Sequence, residues 1–172
     1  MDYKKYIREV PDFPKKGILF YDVTTLLSDP KVFKTITDDM YERAKSLNIT
    51  KVAAIEARGF IFGAPLAQKL NVPFIPIRKP GKLPYKTKRF EYTLEYGKDA
   101  VEIHEDAVTK GDKILMVDDL LATGGTISAA ANLVKECGGE VSGMLFVIEL
   151  DFLKGREKLK DYKVQSLVRY DS

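Results

Sequence analysis

Asp118 and Asp119 stand side by side behind the apolar run Ile114-Leu115-Met116-Val117, and the small-residue stretch Ala122-Thr123-Gly124-Gly125-Thr126 follows shortly after. Each part has a chemical use. The β-rich apolar run reads as a strand of a parallel sheet covered on both faces, and such sheets bind ligands at the carboxyl ends of their strands. The stretch behind the acids lets backbone N–H groups and hydroxyls converge on a helix start near Thr126, where the macrodipole favours an anion. Carboxylates beside an anion cradle make sense when one ligand supplies both partners. A phosphorylated sugar does so: its phosphate fits the turn and its ring hydroxyls donate to the acids. One Asp and one Gly here would mean no more than a capped strand–helix turn. Two adjacent acids before Thr-Gly-Gly-Thr are more specific. Neither G-x-x-x-x-G-K-S/T nor G-x-G-x-x-G occurs, which argues against the other common phosphate cradles.

Other segments carry weaker chemical signals. Glu56-Ala57-Arg58-Gly59 ends a short apolar run and offers turn amides plus one guanidinium; a plain turn with a surface arginine reads equally well. Arg78, Lys79, Lys82, Lys86, Lys88 and Arg89 share a stretch without an acid, and Pro80, Gly81 and Pro84 predict that it is a loop. It fits a solvated loop, a nucleic-acid patch with Tyr85 and Phe90 for stacking, or a lid over a highly charged ligand. Ile18-Leu19-Phe20 reads as a core strand. His104 reads as a surface histidine on a strand half exposed by its alternation. Cys137 reads as a small buried residue on a helix face, and Lys154-Gly155-Arg156-Glu157-Lys158 as a solvated helix start.

The elements that must position these residues are legible from periodicity. Asp29-Pro30 resembles a helix start, and Val32, Ile36, Met40 and Ala44 then give one apolar stripe. Val52 to Ile55 predicts a buried strand, Phe60 to Leu70 a helix whose first turn Pro65 puts in question, and Val72 to Ile77 another strand. Phe90 to Leu94 and Ala100 to Ile103 predict a β-ribbon around Gly97. Behind the signature run, Ile127, Ala130, Ala131, Val134 and Cys137 share a helix face, which Gly138-Gly139 ends. Strands at Val141 to Leu150 and Val164 to Val168 complete the pattern, with a short charged helix between them. This alternation predicts an α/β fold with a central, mostly parallel sheet and helices on both faces.

Composition sets the bounds. A chain of 172 residues with 45% apolar residues fits one domain, 1–172, with a sizeable core. No apolar run reaches membrane-spanning length, and Met1-Asp2-Tyr3-Lys4-Lys5 lacks the apolar stretch of a secretion signal, so no membrane partner is expected. One cysteine and one histidine exclude an internal disulfide, a thiolate zinc site and a cysteine–histidine hydrolase, and they suit a reducing cytoplasm. A net charge of +3 says little about partners.

The block from Ile114 to Thr126 resembles the phosphoribosyl pyrophosphate signature of the type I phosphoribosyltransferase family. The adenine-using members are the closer match. Phe13 to Asp22, Glu56 to Phe60, Ile77 to Pro84, Leu94 to Gly97 and Leu153 to Leu159 agree with them in order and spacing. The resemblance implies that adenine and phosphoribosyl pyrophosphate (PRPP) give AMP and pyrophosphate, a purine-salvage reaction. It implies Mg²⁺ carried by PRPP with no direct protein ligand, a homodimer, a small hood at about residues 1–30 and a flexible loop at about 79–100. By the same resemblance Asp118 and Asp119 bind the ribose, and Ala122, Thr123, Gly124, Gly125 and Thr126 the 5′-phosphate. Ala57, Arg58, Arg78, Lys79, Lys82 and Tyr96 bind pyrophosphate, with Arg58 contacting either pyrophosphate or N7 of the base. Leu19, Phe20 and Tyr21 receive adenine, Phe20 by its ring and its neighbours by their backbones; Tyr21 stands where a common family pattern has arginine. Glu95 is the candidate base for the N9 proton, with water as the other acceptor. Two further readings differ in kind: the same transfer to another purine, or a PRPP-sensing regulator that binds DNA or RNA. A regulator would need an added module, whereas the residues before Val52 match the hood, so no nucleic-acid partner is expected.

Overall fold

A computed structural model of the chain describes residues 1–94 and 97–172, Leu94 through its backbone alone. Strands β1 (Arg8–Pro11) and β2 (Leu19–Asp22) pair antiparallel, with Val10 opposite Phe20, as a two-stranded ribbon separate from the main sheet. Ile18 and Leu19 are exposed, so this segment is not the core strand that its apolar run suggested. A short helix, α1 (Thr24–Leu27), leads to α2 (Pro30–Ala44). The Asp29 carboxylate accepts from the Lys31 and Val32 amides, and Pro30 takes the first helical position, where no N–H is needed. Val32, Ile36, Met40 and Ala44 form the expected stripe and are all buried.

The central sheet is built from β3 (Lys51–Ile55), β4 (Phe74–Ile77), β7 (Lys113–Leu121), β8 (Glu140–Leu150) and β9 (Val164–Tyr170), in the order β4-β3-β7-β8-β9 and parallel throughout. Between β3 and β4 runs α3 (Arg58–Leu70), which starts two residues before Phe60 and continues past Pro65. Between β7 and β8 runs α4 (Gly125–Glu136). Successive side chains of a strand point to opposite faces. Val52, Ala54, Leu115 and Val117 therefore pack with α2 and α3, while Ala53, Ile55, Ile114 and Met116 pack with α4. Both faces are covered, which is why these strands are apolar at every position. The chain steps from β3 to β4 on one side and returns to β7 on the other, so strand order reverses between β3 and β7. Ligands of open parallel sheets bind at that reversal.

The expected ribbon around Gly97 forms, and it starts earlier than expected, inside the basic stretch read as a loop. β5 (Thr87–Leu94) and β6 (Gly97–His104) pair antiparallel along their length, so Lys88 and Arg89 belong to a strand. Glu95 and Tyr96 lie outside the described residues. Val101, Glu102 and Ile103 are all buried, against the expected alternation, because β6 packs on α4 and bridges to Arg78 behind β4. His104 is half-buried rather than a surface residue, and its Nε2 is buried without a hydrogen-bond partner. Cys137 is half-buried at the end of α4. Among the described residues, no helix is long and apolar enough to cross a membrane.

Asp112, at the entry to β7, ties the far end of the sheet. It pairs with Lys51 at 2.8 Å and accepts from the Thr109 amide and from the Thr50 and Thr109 hydroxyls. Burial opposes its charge, yet these partners prevail and hold its pKa down at about 2, against an ordinary 3.8. Folded Asp112 therefore contributes stability above pH 3.8 that is lost as pH falls through about 2. Asp112→Asn is expected to lower the unfolding free energy by about 1–2 kcal/mol at neutral pH. In urea titrations the gap from the parent should close below pH 2; a pH-independent gap would show that the charge is not the cause.

Candidate active site

The carboxyl ends of β3 and β7 enclose a cavity of about 440 Å³ at the reversal point. Asp118 and Asp119 lie inside β7 rather than beyond its end, because the strand continues to Leu121. Ala54 pairs with Val117, which sets Glu56 and Ala57, just past β3, across from the two aspartates. Asp119 is 4% exposed, so its carboxylate is held in the wall rather than in water. Arg58 Nε approaches Asp119 Oδ2 to 2.6 Å as an ion pair, but no aligned hydrogen bond from the described residues reaches this oxygen. It keeps its accepting capacity for a ligand. Asp118 Oδ1 accepts from the Asp119 amide at 2.9 Å. Gly59 lets α3 approach this carboxylate: a Cβ there would stand 2.9 Å from Asp118 Oδ1. Burial, and then the Asp119 charge, push the Asp118 pKa well above 3.8. Burial also raises Asp119, with Arg58 pulling the other way.

The opposite wall is the turn Ala122–Thr126, all of whose residues line the cavity. Gly124, at φ +75°, is the N-cap of α4, and no side chain caps the helix. The amides of its first turn are free to bind an anion. From above, the ribbon reaches the same turn: Tyr92 Oη lies 3.1 Å from Thr126 Oγ1 and donates to Asp99 Oδ2 at 3.1 Å. Asp99 also pairs with Lys79, which lines the cavity. Burial opposes the Lys79 ammonium, yet Asp99 outweighs it and holds the Lys79 pKa above 10.5.

A second cavity, of about 490 Å³, lies under the N-terminal ribbon between Val10, Phe13, Phe20, Asp22, Thr24 and Arg58. Arg58 lines both cavities, its guanidinium 5.3 Å from the centre of the Phe20 ring. A flat, aromatic-edged space thus adjoins the carboxylates through one shared cation.

The structure gathers most of the expected residues, with exceptions. Ala57, Arg58, Lys79, Asp118, Asp119 and the turn from Ala122 to Thr126 share the first cavity, and Phe20 lines the second. Leu19 lines neither; it borders a neighbouring depression with Pro11, Asp12, Gly17 and Ile18. The Tyr21 ring is buried against Tyr170, 4.1 Å between centroids, so only its backbone could face a ligand. Lys82 is exposed outside the cavity. The Arg78 guanidinium is already engaged: it donates to Glu56 Oε2 at 2.9 and 3.1 Å and to the Lys82 carbonyl at 3.1 Å. Burial opposes the Glu56 charge, but the Lys79 amide and Arg78 hold its pKa below 4.5. Sequence reasoning gave no role to Glu56, Tyr92 or Asp99. Nor does the run from Lys154 to Lys158 behave as a solvated helix start. It opens a 3-10 helix, Gly155–Leu159, in which Gly155 is buried against the turn and Arg156 pairs with buried Glu149.

Residues 22–170 match the model of the phosphoribosyl transferase domain. Adenine phosphoribosyltransferase of Clostridium perfringens is 59% identical over 99% of each chain. The solved adenine phosphoribosyltransferase of Thermoanaerobacter pseudethanolicus superposes with a TM-score of 0.96, at 52% identity over 98% of each chain. That of Saccharomyces cerevisiae, complexed with an imino-altritol bisphosphate and adenine, superposes with a TM-score of 0.90, at 39% identity over 96% of each chain.

The geometry predicts a raised carboxyl at Asp118 that answers to its neighbour's charge. A carboxyl ¹³C titration should place Asp118 above 3.8, and Asp119→Asn should move it down while leaving it above 3.8, since burial remains. An unmoved Asp118 would show that the neighbouring charge does not act on it.

Proposed function

This chain belongs to the phosphoribosyltransferase family, among the adenine phosphoribosyltransferases, and from that premise we propose how its two cavities divide the substrates. The reaction transfers the 5-phosphoribosyl group of PRPP to N9 of adenine, giving AMP and pyrophosphate, a step of purine salvage. One observation carries the assignment of the site: a single cavity joins an aspartate pair, Asp119 buried and Asp118 half-buried, to an uncapped helix start.

The turn from Ala122 to Thr126 takes the 5′-phosphate through its amides and the Thr123 and Thr126 hydroxyls. The ribose hydroxyls donate to Asp118 and Asp119, and those hydrogen bonds favour the ionised forms that burial disfavours. As the bond from the anomeric carbon to pyrophosphate breaks, positive charge grows on the ribose beside these acids. Arg58, the Ala57 amide and Lys79 meet the negative charge that departs. The Phe20 face receives the purine, with the backbones of Leu19 and Tyr21 as the proposed edge contacts. N9 forms the new bond as its proton leaves to Glu95 or to water. Arg78 would reach pyrophosphate only while shared with Glu56, and Lys82 and Tyr96, the latter outside the described residues, are the remaining proposed contacts to it. Magnesium would enter as a passenger of PRPP with no direct protein ligand, Asp118 and Asp119 being left to the ribose, and it would spread the negative charge of the leaving diphosphate. A homodimer in a reducing cytoplasm completes the proposal; the single Cys137 is consistent with that compartment.

Protein mixed with Mg²⁺, PRPP and adenine should form AMP. Preferential turnover of a 6-oxopurine would overturn the assignment of Phe20 and its neighbours to adenine. Asp119→Asn should lower kcat/KM by roughly 10²-fold or more. Gly125→Val should do the same, since its side chain would enter the space kept for the phosphate. Cys137→Ala should leave turnover near that of the parent.

A further inference from the structure

The turn Ala122–Thr126 packs tightly against a second backbone segment. Its back rests on Gly155, and the two backbones meet where neither segment has room for a side chain. A Cβ on Gly124 would stand 2.6 Å from the Gly155 carbonyl oxygen, and one on Gly155 would collide with the Ala122 carbonyl oxygen and press on the Leu121 side chain. Gly155 is positioned in turn by its neighbour. Arg156 gives its Nε and Nη2 to the two oxygens of Glu149, Nη2 at 2.7 Å, and its Nη1 to the Val164 carbonyl at 3.0 Å. The Glu149 side chain is 3% exposed and also accepts from the Ser166 hydroxyl, so three groups fix its two oxygens. In the sheet register Glu149 lies beside Leu121, the last residue of the strand that carries Asp118 and Asp119. The guanidinium therefore braces the segment behind the turn against the strand that leads into it.

We propose that the Glu149–Arg156 pair, acting through Gly155, is the positioning device that holds the Ala122–Thr126 turn in its phosphate-binding shape. This deepens the reading of the turn as the 5′-phosphate site and rests on it. Neither side chain touches substrate. Their contribution is the fixed curvature that lets several amides meet one phosphate, and misplacing such a group by about 1 Å can cost ~10²-fold in rate. A lysine at 156 keeps the charge but cannot span both carboxylate oxygens and the carbonyl together.

The test reads the two ends of PRPP separately. Ribose 5-phosphate, as an inhibitor competing with PRPP, reports on the turn; inorganic pyrophosphate reports on the Arg58 side. In both Arg156→Lys and Gly155→Ala, the inhibition constant for ribose 5-phosphate and the KM for PRPP should rise about tenfold. The inhibition constant for pyrophosphate and the KM for adenine at saturating PRPP should stay within about twofold. Gly155→Ala unpairs no charge, so it stands as the second arm if the arginine variant folds poorly. Equal losses at both ends, or a lower melting temperature with unchanged ribose 5-phosphate inhibition, would reduce the pair to a general stabilising contact and overturn the proposal. If the unaltered protein were insensitive to ribose 5-phosphate, the phosphate assignment of the turn would itself fail, and this inference with it.

Discussion

Two carboxylates side by side in a buried strand repel each other, and the site is organised around that repulsion. Burial and mutual charge push Asp118 toward its protonated form, while the Arg58 guanidinium pulls both acids the other way. A hydrophobic isostere would cost less, so the pair is retained at a cost to stability. The cost has a use: the unaligned oxygen of Asp119 is a buried acceptor awaiting a donor. A diol that donates to the acids relieves both problems at once. The close approach of α3 through Gly59 covers one side of the Asp118 carboxylate, so a hydrogen bond from a ligand hydroxyl offsets part of the cost of its burial.

The cations are divided by task. Arg78 and Arg156 look alike in sequence to Arg58, being arginines in segments that match the family, yet each is bound to a carboxylate that is largely buried. They set backbone positions, of the segment behind β4 in one case and behind the phosphate turn in the other. Arg58 and Lys79 line the cavity. Arg58 links the two cavities, so one guanidinium sits against the Phe20 face and against Asp119 together. Negative charge that gathers on the diphosphate as positive charge grows on the sugar would thus be felt beside the base as well.

Much of this was legible because short-range rules dominate the sheet and its helices. The stripe from Val32 to Ala44 behind an Asp-Pro start, and the unbroken apolar strands, report burial on one face or two, and burial is what such patterns encode. The aspartate pair and the glycine turn were legible for a different reason: their residue types have few uses other than ligand binding. The ribbon itself forms where it was expected, but its exposure and that of the run at 154–158 were misjudged because their burial comes from distant elements. β6 is covered by α4 and β4, so its outward positions are buried too, and Glu102 is satisfied by the Gly81 amide at 3.0 Å, a contact no local window contains. A charged run reads as solvated unless the partner of each charge is known. For Arg156 that partner is Glu149, the one acid within the buried, otherwise apolar run Met144 to Leu150 of β8.

That acid has a counterpart at the other edge of the site. Glu56 also stands at a strand end and also binds an arginine through two nitrogens, and it accepts from the Lys79 amide where Glu149 accepts from the Ser166 hydroxyl. In each case a carboxylate withdrawn from water anchors a segment from a different part of the chain to the end of a sheet strand. The phosphate turn and the basic segment thereby acquire rigid attachment points on β8 and β3, the two strands that flank β7. Ion pairs at the surface would not serve, because solvent screens them and long side chains leave them readily. Placed in the wall, they convert the stiffness of a parallel sheet into fixed positions for the groups that must meet a phosphate at one end of a ribose and a diphosphate at the other.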